Sequence, residues 1–338
     1  MASTPGEPRL LVFDCHEAWV YQLRELDQPM DVVVGLEGRH TPEWDDAMRP
    51  VPPNARIVRL EEALASSIPY DCVITHNVSD LLDAKPIVAP RLLVIHGTLD
   101  GIVLEQGSRT PPAGLCGALA QYVDMIGAHV MAVSRLKGKS WGFAEDVVPF
   151  SVDVRDYLPF RGDLACGLRI ANDVERKKRT LLWDFHMEAF AGIPVTLVGR
   201  NDGMPGVAPA RDWQSLKEML SRHRFFIHTA DPRLEDGYNM ATLEAMAAGL
   251  PVLGNRHPTS PIEHGVSGFL SDDPVELRLF ARRLLEDREL AGRMGREAQR
   301  VVAEKFSPER FKQGLEHSIE SARQKFRRRV PTKSTSRR

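Results

Sequence analysis

The segment EDGYNMATLEAMAAGLPVLGN (residues 235–255) places a turn, a helix and a strand in one short stretch of chain. Gly237 interrupts the backbone after two acidic residues, and from Asn239 to the glycine at 249 most residues are good helix formers. Asn239 suits the N-cap position, and the apolar run PVLGN (251–255) predicts a buried strand. A helix that leads directly into an apolar strand is typical of an α/β fold with a parallel sheet.

Short apolar runs alternate with longer amphipathic stretches along the whole chain, which predicts repeated β-α units. In the first half we expect strands at 9–14, 31–36, 55–60, 71–76, 91–96 and 129–134. In the second half we expect strands at 166–171, 194–199, 224–229 and 251–255. Helices are expected at 114–128, 177–190, 212–222, 239–248, 274–304 with a break near 287, and 307–326.

The length of 338 residues favours two domains. The stretch 147–163 is rich in proline and turn formers and lacks a helical period, so we expect the domain boundary there. The predicted division is 1–152 and 153–306, followed by a helix at 307–326 and a basic tail at 327–338.

Composition indicates a soluble globular protein, because 43% of residues are hydrophobic, 27% are charged and no apolar run is long enough to cross a bilayer. The first residues do not resemble a secretory signal, and the four cysteines form no C-x-x-C pair, so we expect a cytoplasmic protein with reduced thiols. The last 18 residues hold eight Lys or Arg and no acid. Such a tail can contact an anionic membrane surface or remain solvated, and both interpretations stay open.

Polar residues follow many of the predicted strands. In the first half His16, His76 and His96 occupy such places, and in the second half Asn172 and Arg200 do. Ligands of open parallel sheets bind beyond the carboxyl ends of the strands. Two such edges that face each other would form an interdomain cleft with a ligand site.

Anion-binding groups are expected in the second half. The basic segment NDVERKKRT (172–180), with Arg176 and Lys178, is expected to open a helix, where cations suit a diphosphate or simply form a solvated helix start. The amides of residues 240–242 form a second helix start. Glu244 lies one turn further, where ribose hydroxyls or a neighbouring Arg or amide would satisfy its carboxylate. A D-x-D motif is absent, so we expect no metal to hold the diphosphate.

The segment DGYNMATLEAMAAGLPVLGN followed by SPIEHGVSGFLSDD resembles the signature of the retaining, group 1 GT-B glycosyltransferases of family four. The segments HVMAVSRLKGKSWGF, PVTLVGR and LLVIHGT are similar to other parts of that family's pattern. The resemblance covers roughly residues 90–310 and is thin before residue 90.

The resemblance implies a GT-B fold of two Rossmann-like domains whose parallel sheets face each other across a cleft. The first domain would bind the acceptor, the second the nucleotide sugar, and the last helix would return to the first domain. Glu244 would bind the ribose, Lys178 the phosphates, and Asp236, one methylene shorter than the usual Glu, the donor sugar. Asn172 stands where the family has an Arg, and His96 would lie on the acceptor side. The remaining candidate substrate-binding residues are His16, Arg176, Arg200, Gly237, Tyr238, Asn239, Met240, Ala241 and Thr242.

The expected function is therefore metal-independent transfer of a sugar from a nucleotide sugar to an acceptor hydroxyl, with retention of configuration and without a cofactor. UDP-sugars are the commonest donors in such enzymes. The acceptor would be a sugar or a lipid-linked molecule, and no nucleic acid is expected as a partner. Through its basic tail the protein could also contact the inner membrane face. Two alternatives remain: a degenerate GT-B protein that binds a nucleotide sugar or glycan without turnover, and a GT-B sugar-nucleotide epimerase.

Overall fold

The computed structural model describes residues 8–38 and 43–329. These residues form two compact units. Unit 1 comprises the described residues up to His96, Arg109–Pro149 and those from Phe311 onward. Unit 2 comprises Gly97–Ser108 and Phe150–Arg310.

Unit 1 contains a six-stranded parallel sheet. Its strands are β1 (Arg9–Phe13), β2 (Met30–Val33), β3 (Ala55–Val58), β4 (Tyr70–Thr75), β5 (Arg91–Ile95) and β6 (His129–Ala132), in the order β3-β2-β1-β4-β5-β6. All six strands lie where the apolar runs predict them. The central strands are buried because helices cover both faces of a parallel sheet.

Unit 2 contains a five-stranded parallel sheet. Its strands are β7 (Leu164–Ile170), β8 (Val195–Val198), β9 (His223–Ile227), β10 (Val252–Gly254) and β11 (Gly268–Leu270), in the order β11-β10-β9-β7-β8. The first four match predicted strands. The sequence did not predict β11, because three residues are too short to show a pattern.

Helices connect the strands. They are α1 (Glu17–Val20), α2 (Leu60–Leu64), α3 (Val78–Asp83), α4 (Leu99–Gln106), α5 (Pro112–Ile126), α6 (Arg135–Trp141), α7 (Trp183–Ala189), α8 (Trp213–Arg222), α9 (Met240–Ala247), α10 (Pro274–Glu286), α11 (Arg288–Lys305) and α12 (Pro308–Arg329). The predicted helices at 114–128, 212–222 and 239–248 are confirmed within two residues, as is the break near Asp287. The prediction of a helix from residue 177 is wrong, because α7 begins only at Trp183.

Each unit has its own apolar core. In unit 2, Phe225, Ile227 and Leu253 of the sheet pack with Leu277 and Ala281 of α10. In unit 1 one cluster includes Leu11, Phe13 and Val73, and a second lies between β5, β6 and α5. These side chains come from the apolar runs that predict the strands, so the sequence pattern identifies most of the core.

Helix α12 belongs to unit 1 from Phe311 onward and continues to Arg329, three residues beyond its predicted end. Arg323 pairs with Asp71 on β4, and Lys312 Nζ lies 2.7 Å from Asp27 Oδ2. The rest of the predicted basic tail, residues 330–338, lies outside the described part of the chain. Within the described part, no helix is both long and apolar enough to span a bilayer.

Candidate functional site

The loop after β9 carries four of the predicted donor-site residues (236–239), and the segment after β10 holds it in place. The Asn255 side chain accepts a hydrogen bond from Ala230 N and donates one to Ala230 O, both at 3.0 Å. Further along, Gly237 N–H donates to Thr259 Oγ1 at 2.9 Å. A Cβ at Gly237 would lie 2.8 Å from the His257 ring, so glycine is required there. The loop is therefore fixed at both ends by the neighbouring strand's loop.

Asp236 lies inside this loop with its residue only 1% exposed. Its backbone N–H donates to Glu235 Oε1 at 2.8 Å, and its carbonyl oxygen lies 3.2 Å from His228 Nε2. Tyr238, two residues later, is also buried and packs edge-on against Phe306. Burial, with the nearby charge of Asp236, raises the pKa of the Tyr238 hydroxyl, so it stays protonated at neutral pH.

Asn239 forms the N-cap of α9, as predicted. Its Oδ1 accepts the N–H of Thr242 at 2.9 Å, and Thr242 Oγ1 accepts the N–H of Asn239 at 3.3 Å, which completes a capping box. The expectation of an available amide at Thr242 is therefore wrong, because the cap already binds it. Met240 and Ala241 are the other two first-turn residues of the anion-binding prediction.

Glu244 lies one turn into α9 and is 4% exposed. The surrounding residues of the helix, from Leu243 to Ala248, are buried apolar side chains. Gln299 Nε2 of α11 donates to Ala247 O at 2.9 Å and fastens the end of the helix. A carboxyl group in such surroundings requires polar partners, which agrees with a polar role for this position.

The basic segment after β7 is a series of turns rather than a helix start. Leu182 has a left-handed backbone (φ 46°) directly before α7, and Asp173 also has a positive φ of 53°. The predicted placement of Arg176 and Lys178 at a helix N-terminus is therefore wrong. Both side chains are about half exposed and lie near local acids, Arg176 Nη2 at 2.8 Å from Asp173 and Lys178 Nζ at 3.7 Å from Glu175.

Strand β7 and the loop after β9 determine the path of these turns. Arg169 on β7 is 2% exposed, and it donates to Thr229 Oγ1 at 2.8 Å and to Leu181 O at 3.0 Å. Thr229 Oγ1 donates to the same Leu181 carbonyl at 2.6 Å, and Asp231 N–H donates to Thr180 O at 2.9 Å. Burial lowers the pKa of Arg169 to about 9, so its guanidinium remains charged at neutral pH. Sequence reasoning missed Arg169, because a single Arg within a strand has no distinctive pattern.

Asn172 and Arg200 lie together at the ends of β7 and β8. Asn172 Oδ1 accepts the N–H of Arg200 at 2.8 Å. Asn201 next to it accepts from Val174 N–H at 2.9 Å and donates to Ala171 O at 2.8 Å. The Asn172 side chain thus supports the backbone of the neighbouring loop.

In unit 1, the predicted residues His16 and His96 lie near His76, each after a different strand of the sheet. His16 caps α1, with Nδ1 accepting the N–H of Trp19 at 3.2 Å. His76 Nδ1 and His96 Nε2 are 2.8 Å apart, so one donates a hydrogen to the other. The Trp19 ring packs edge-on against both imidazoles, at 4.6 Å from His76 and 5.4 Å from His96 between ring centroids.

Both imidazoles are neutral at physiological pH. Burial and then the nearby His16 lower the pKa of His76 to about 3. Burial, followed by His76 and His16, lowers the pKa of His96 well below its ordinary value. A neutral His96 can accept or donate a hydrogen bond but does not carry a positive charge.

Cys15 joins this histidine pair. One ligand atom from each of Cys15, His76 and His96 lies within 4.8 Å of the other two, and all three residues are partly exposed. The sequence predicted only a reduced thiol at Cys15, because the three residues are far apart in the chain and the strand order β1-β4-β5 brings them together.

Comparison with known protein families gives a match within unit 2. Residues 199–287 match the family model described as "Glycosyl transferases group 1". The N-acetyl-alpha-D-glucosaminyl L-malate synthase of Bacillus anthracis is 36% identical over 81 residues, 23% of this chain. The aligned part of the chain spans only 21% of that relative's length.

Solved structures match nearly the whole chain. Anabaena HepE, determined in complex with UDP and glucose, has a TM-score of 0.65 at 13% identity, over 93% of this chain and 100% of HepE. Sucrose-phosphate synthase from Thermosynechococcus elongatus has a TM-score of 0.65 at 14% identity, over 93% and 98% of the two chains. At such identities these likenesses establish the fold alone. Residues 199–287 therefore carry the signature of the group 1 glycosyltransferases, and the chain has the fold of the GT-B glycosyltransferases.

Proposed function

We propose that the protein transfers a sugar from a nucleotide sugar to an acceptor hydroxyl, with retention of configuration and without a metal. The observation that carries this proposal is the group 1 glycosyltransferase match over residues 199–287, which includes Asp236, the α9 start and Glu244. HepE has been solved with UDP and with UDP-glucose, which supports a UDP-sugar as the donor.

The proposed donor site lies in unit 2. Glu244 would accept hydrogen bonds from the ribose hydroxyls, as the family resemblance implies. The first-turn amides of Met240 and Ala241 would face the diphosphate, since a helix start favours negative charge. Asp236 and Gly237 would contact the donor sugar from the loop after β9.

Lys178 would stabilise the leaving diphosphate. Cleavage of the glycosyl-phosphate bond places negative charge on the phosphate oxygens, and a fixed cation lowers the energy of that state. Its contact with Glu175 is long and half exposed, at 3.7 Å, so it holds the ammonium only weakly. Lys178 can therefore turn to a phosphate, whereas Arg176 would first have to leave Asp173.

The acceptor would be a sugar or a lipid-linked hydroxyl bound by unit 1, where neutral His96 offers a hydrogen bond to it. The leaving phosphate itself would take the acceptor's proton, so no separate base is required in this scheme. Contact of the basic tail with the inner membrane face remains a prediction. Unchanged liposome association after truncation at Arg329 would argue against it.

The test compares Lys178→Ala with Lys305→Ala, a lysine of similar exposure at the end of α11. Release of nucleoside diphosphate from a panel of nucleotide sugars should fall by roughly 100-fold in kcat for Lys178→Ala, as for loss of an oxyanion-stabilising group. Lys305→Ala should match the wild type. Equal rates for both variants would contradict the proposed role of Lys178.

A second candidate is a protein that binds a nucleotide sugar or glycan without turnover. Asp236 and Asn172 favour it, because they stand where the resembled family has Glu and Arg. The variant Asp236→Glu separates the two candidates: increased turnover indicates a weakened enzyme, and retained binding without turnover in either form indicates a binding protein. Product analysis without an acceptor would reveal an epimerase.

A further inference from the structure

The histidine pair of unit 1 and Cys15 together have the composition of a metal site. The residues follow β1, β4 and β5, which are neighbouring strands, so the sheet itself determines their separation. One donor atom from each lies within 4.8 Å of the other two. A four-coordinate zinc ion with thiolate and imidazole ligands needs a comparable cluster, with bonds of about 2.0–2.3 Å.

The surrounding residues fix the backbone of His76 and pack against both imidazoles. The backbone N–H of His76 donates to Asp80 Oδ2 at 2.9 Å, and Asp80, 1% exposed, donates its own backbone N–H to the side-chain oxygen of Asn77, the cap of α3. Trp19 covers both rings. Within residues 8–38 and 43–329, His76 Nε2 is a buried nitrogen without a hydrogen-bond partner. A buried imidazole nitrogen without a hydrogen-bond partner is a candidate metal ligand.

We propose that Cys15, His76 and His96 bind a zinc ion. Cys15 would bind as a thiolate and release its proton to solvent, and each imidazole would bind as a neutral donor. No oxidation or reduction is involved. The three side chains leave at least one coordination position for a water molecule or another ligand from solution.

The thiolate and imidazole ligands disfavour the metal ions that commonly bind nucleotides. Magnesium and calcium prefer oxygen ligands, whereas thiolate and imidazole suit zinc. The proposed ion is therefore distinct from any ion on the donor diphosphate. The proposal does not depend on glycosyl transfer, because its test measures metal binding directly.

Cobalt(II) is the probe, since it replaces zinc and reports a thiolate ligand. The full-length chain, stripped of metal with a chelator, should bind one equivalent of cobalt with a thiolate-to-cobalt charge-transfer band in the near ultraviolet. Zinc should displace the cobalt and abolish the band. In calorimetry the wild type should bind zinc at one site and should not bind magnesium there.

Cys15→Ser should remove the charge-transfer band, and His76→Gln should weaken zinc binding by more than about 100-fold, since even supporting residues contribute that much. The matched controls are Cys116→Ser, a partly exposed cysteine whose thiol donates to Trp141 O, and His317→Gln on the exposed face of α12. Circular dichroism establishes that each variant is folded, and His96→Gln replaces any that is not. A wild type without one-site zinc binding, or equal bands for Cys15→Ser and Cys116→Ser, would overturn the proposal.

Discussion

Asn255 fixes the loop that carries Asp236, because its side chain makes both hydrogen bonds of the Ala230 backbone and is itself 7% exposed. Asn255→Ala would leave the buried N–H and C=O of Ala230 without partners. Each such group lowers the free energy of unfolding by about 1–3 kcal/mol. We therefore expect lower stability to urea and weaker nucleotide-sugar binding. Asn255→Asp keeps the acceptor for Ala230 N–H but places a carboxylate oxygen against Ala230 O, so it should also destabilise the loop.

Gln214→Ala on the exposed side of α8 is the control and should change neither property. If Asn255→Ala unfolds at the same urea concentration as the wild type, the loop does not depend on this side chain.

Tyr70 contributes to a buried ionic cluster in unit 1. Asp31, fully buried on β2, accepts hydrogen bonds from the Tyr70 hydroxyl at 2.9 Å, from Arg9 at 2.8 Å and from Arg56 at 2.7 Å. Burial raises the pKa of Asp31, but the hydrogen bonds from Arg56 and Tyr70 outweigh it and the net pKa is lowered. Burial and then the bond to Asp31 raise the pKa of Tyr70 from 10.0 to about 12.

The Tyr70 hydroxyl should make stability depend on alkaline pH. The folded state retains the Tyr70 hydroxyl proton more strongly than the unfolded state. The stabilisation of the folded state by this hydroxyl is therefore complete below pH 10 and is lost as pH rises through about 12. The difference in unfolding free energy between wild type and Tyr70→Phe, from urea titrations, should therefore shrink over that range. A difference that stays constant from pH 9 to about 12 would contradict the assignment.

At the level of residues, the sequence supplied candidate site groups but did not predict their hydrogen-bond partners. Asn239 is recognisable as a cap because its neighbours are local, yet its bond to the Thr242 amide removes a donor that the sequence pattern had predicted to be available. The surroundings of Cys15 and Arg169 were not predicted, because their neighbours lie on other strands or loops. Long-range contacts of this kind have no local signal.

Among the elements, the segment 177–182 shows how tertiary contacts override helix propensity. Its residues KKRTLL include good helix formers, but Thr180 and Leu181 give their carbonyls to Asp231, Arg169 and Thr229. The strands were predictable because their apolar runs are nearly continuous. The short helices α1, α2, α3, α4 and α6 were not predicted, since four to eight residues contain too few turns to show a period.

Helix α4 packs tightly on the loop after β9, both in unit 2. Thr98 Oγ1 donates to Leu234 O at 2.5 Å, and a Cβ at Gly101 would lie 2.6 Å from the same oxygen. Gly101→Ala should therefore displace the loop two residues before Asp236 and destabilise the protein by about 1–3 kcal/mol. Nucleotide-sugar binding should weaken as well.

Gly117→Ala in α5 is the matched control, because a Cβ there meets no atom within 4 Å and alanine favours a helix. It should be neutral or slightly stabilising in thermal unfolding. Equal melting temperatures for Gly101→Ala and Gly117→Ala would show that α4 can shift without loss of stability.

For the whole molecule, the alternation of strands and helices was sufficient to predict two parallel sheets, and the ordered segment 235–273 was sufficient to predict the group 1 glycosyltransferase resemblance. The assignment of Gly97–Ser108 to unit 2 could not be predicted, because it depends on packing against a loop more than a hundred residues away. The sequence motifs did not predict which donor sugar is bound, because that depends on how side chains from separate segments contact the sugar.

The central claim is that unit 2 binds a nucleotide through Glu244. Isothermal titration calorimetry with UDP, GDP and ADP tests it on the wild type, Glu244→Gln and the control Glu289→Gln, whose side chain is 92% exposed on α11. We predict that the wild type and the control bind one of the three nucleotides, UDP first, with equal affinity. Glu244→Gln should bind it about 10 to 100 times more weakly, as expected for loss of a charged hydrogen-bond acceptor. Absence of binding to all three by the wild type, or equal affinity in Glu244→Gln, would contradict the claim.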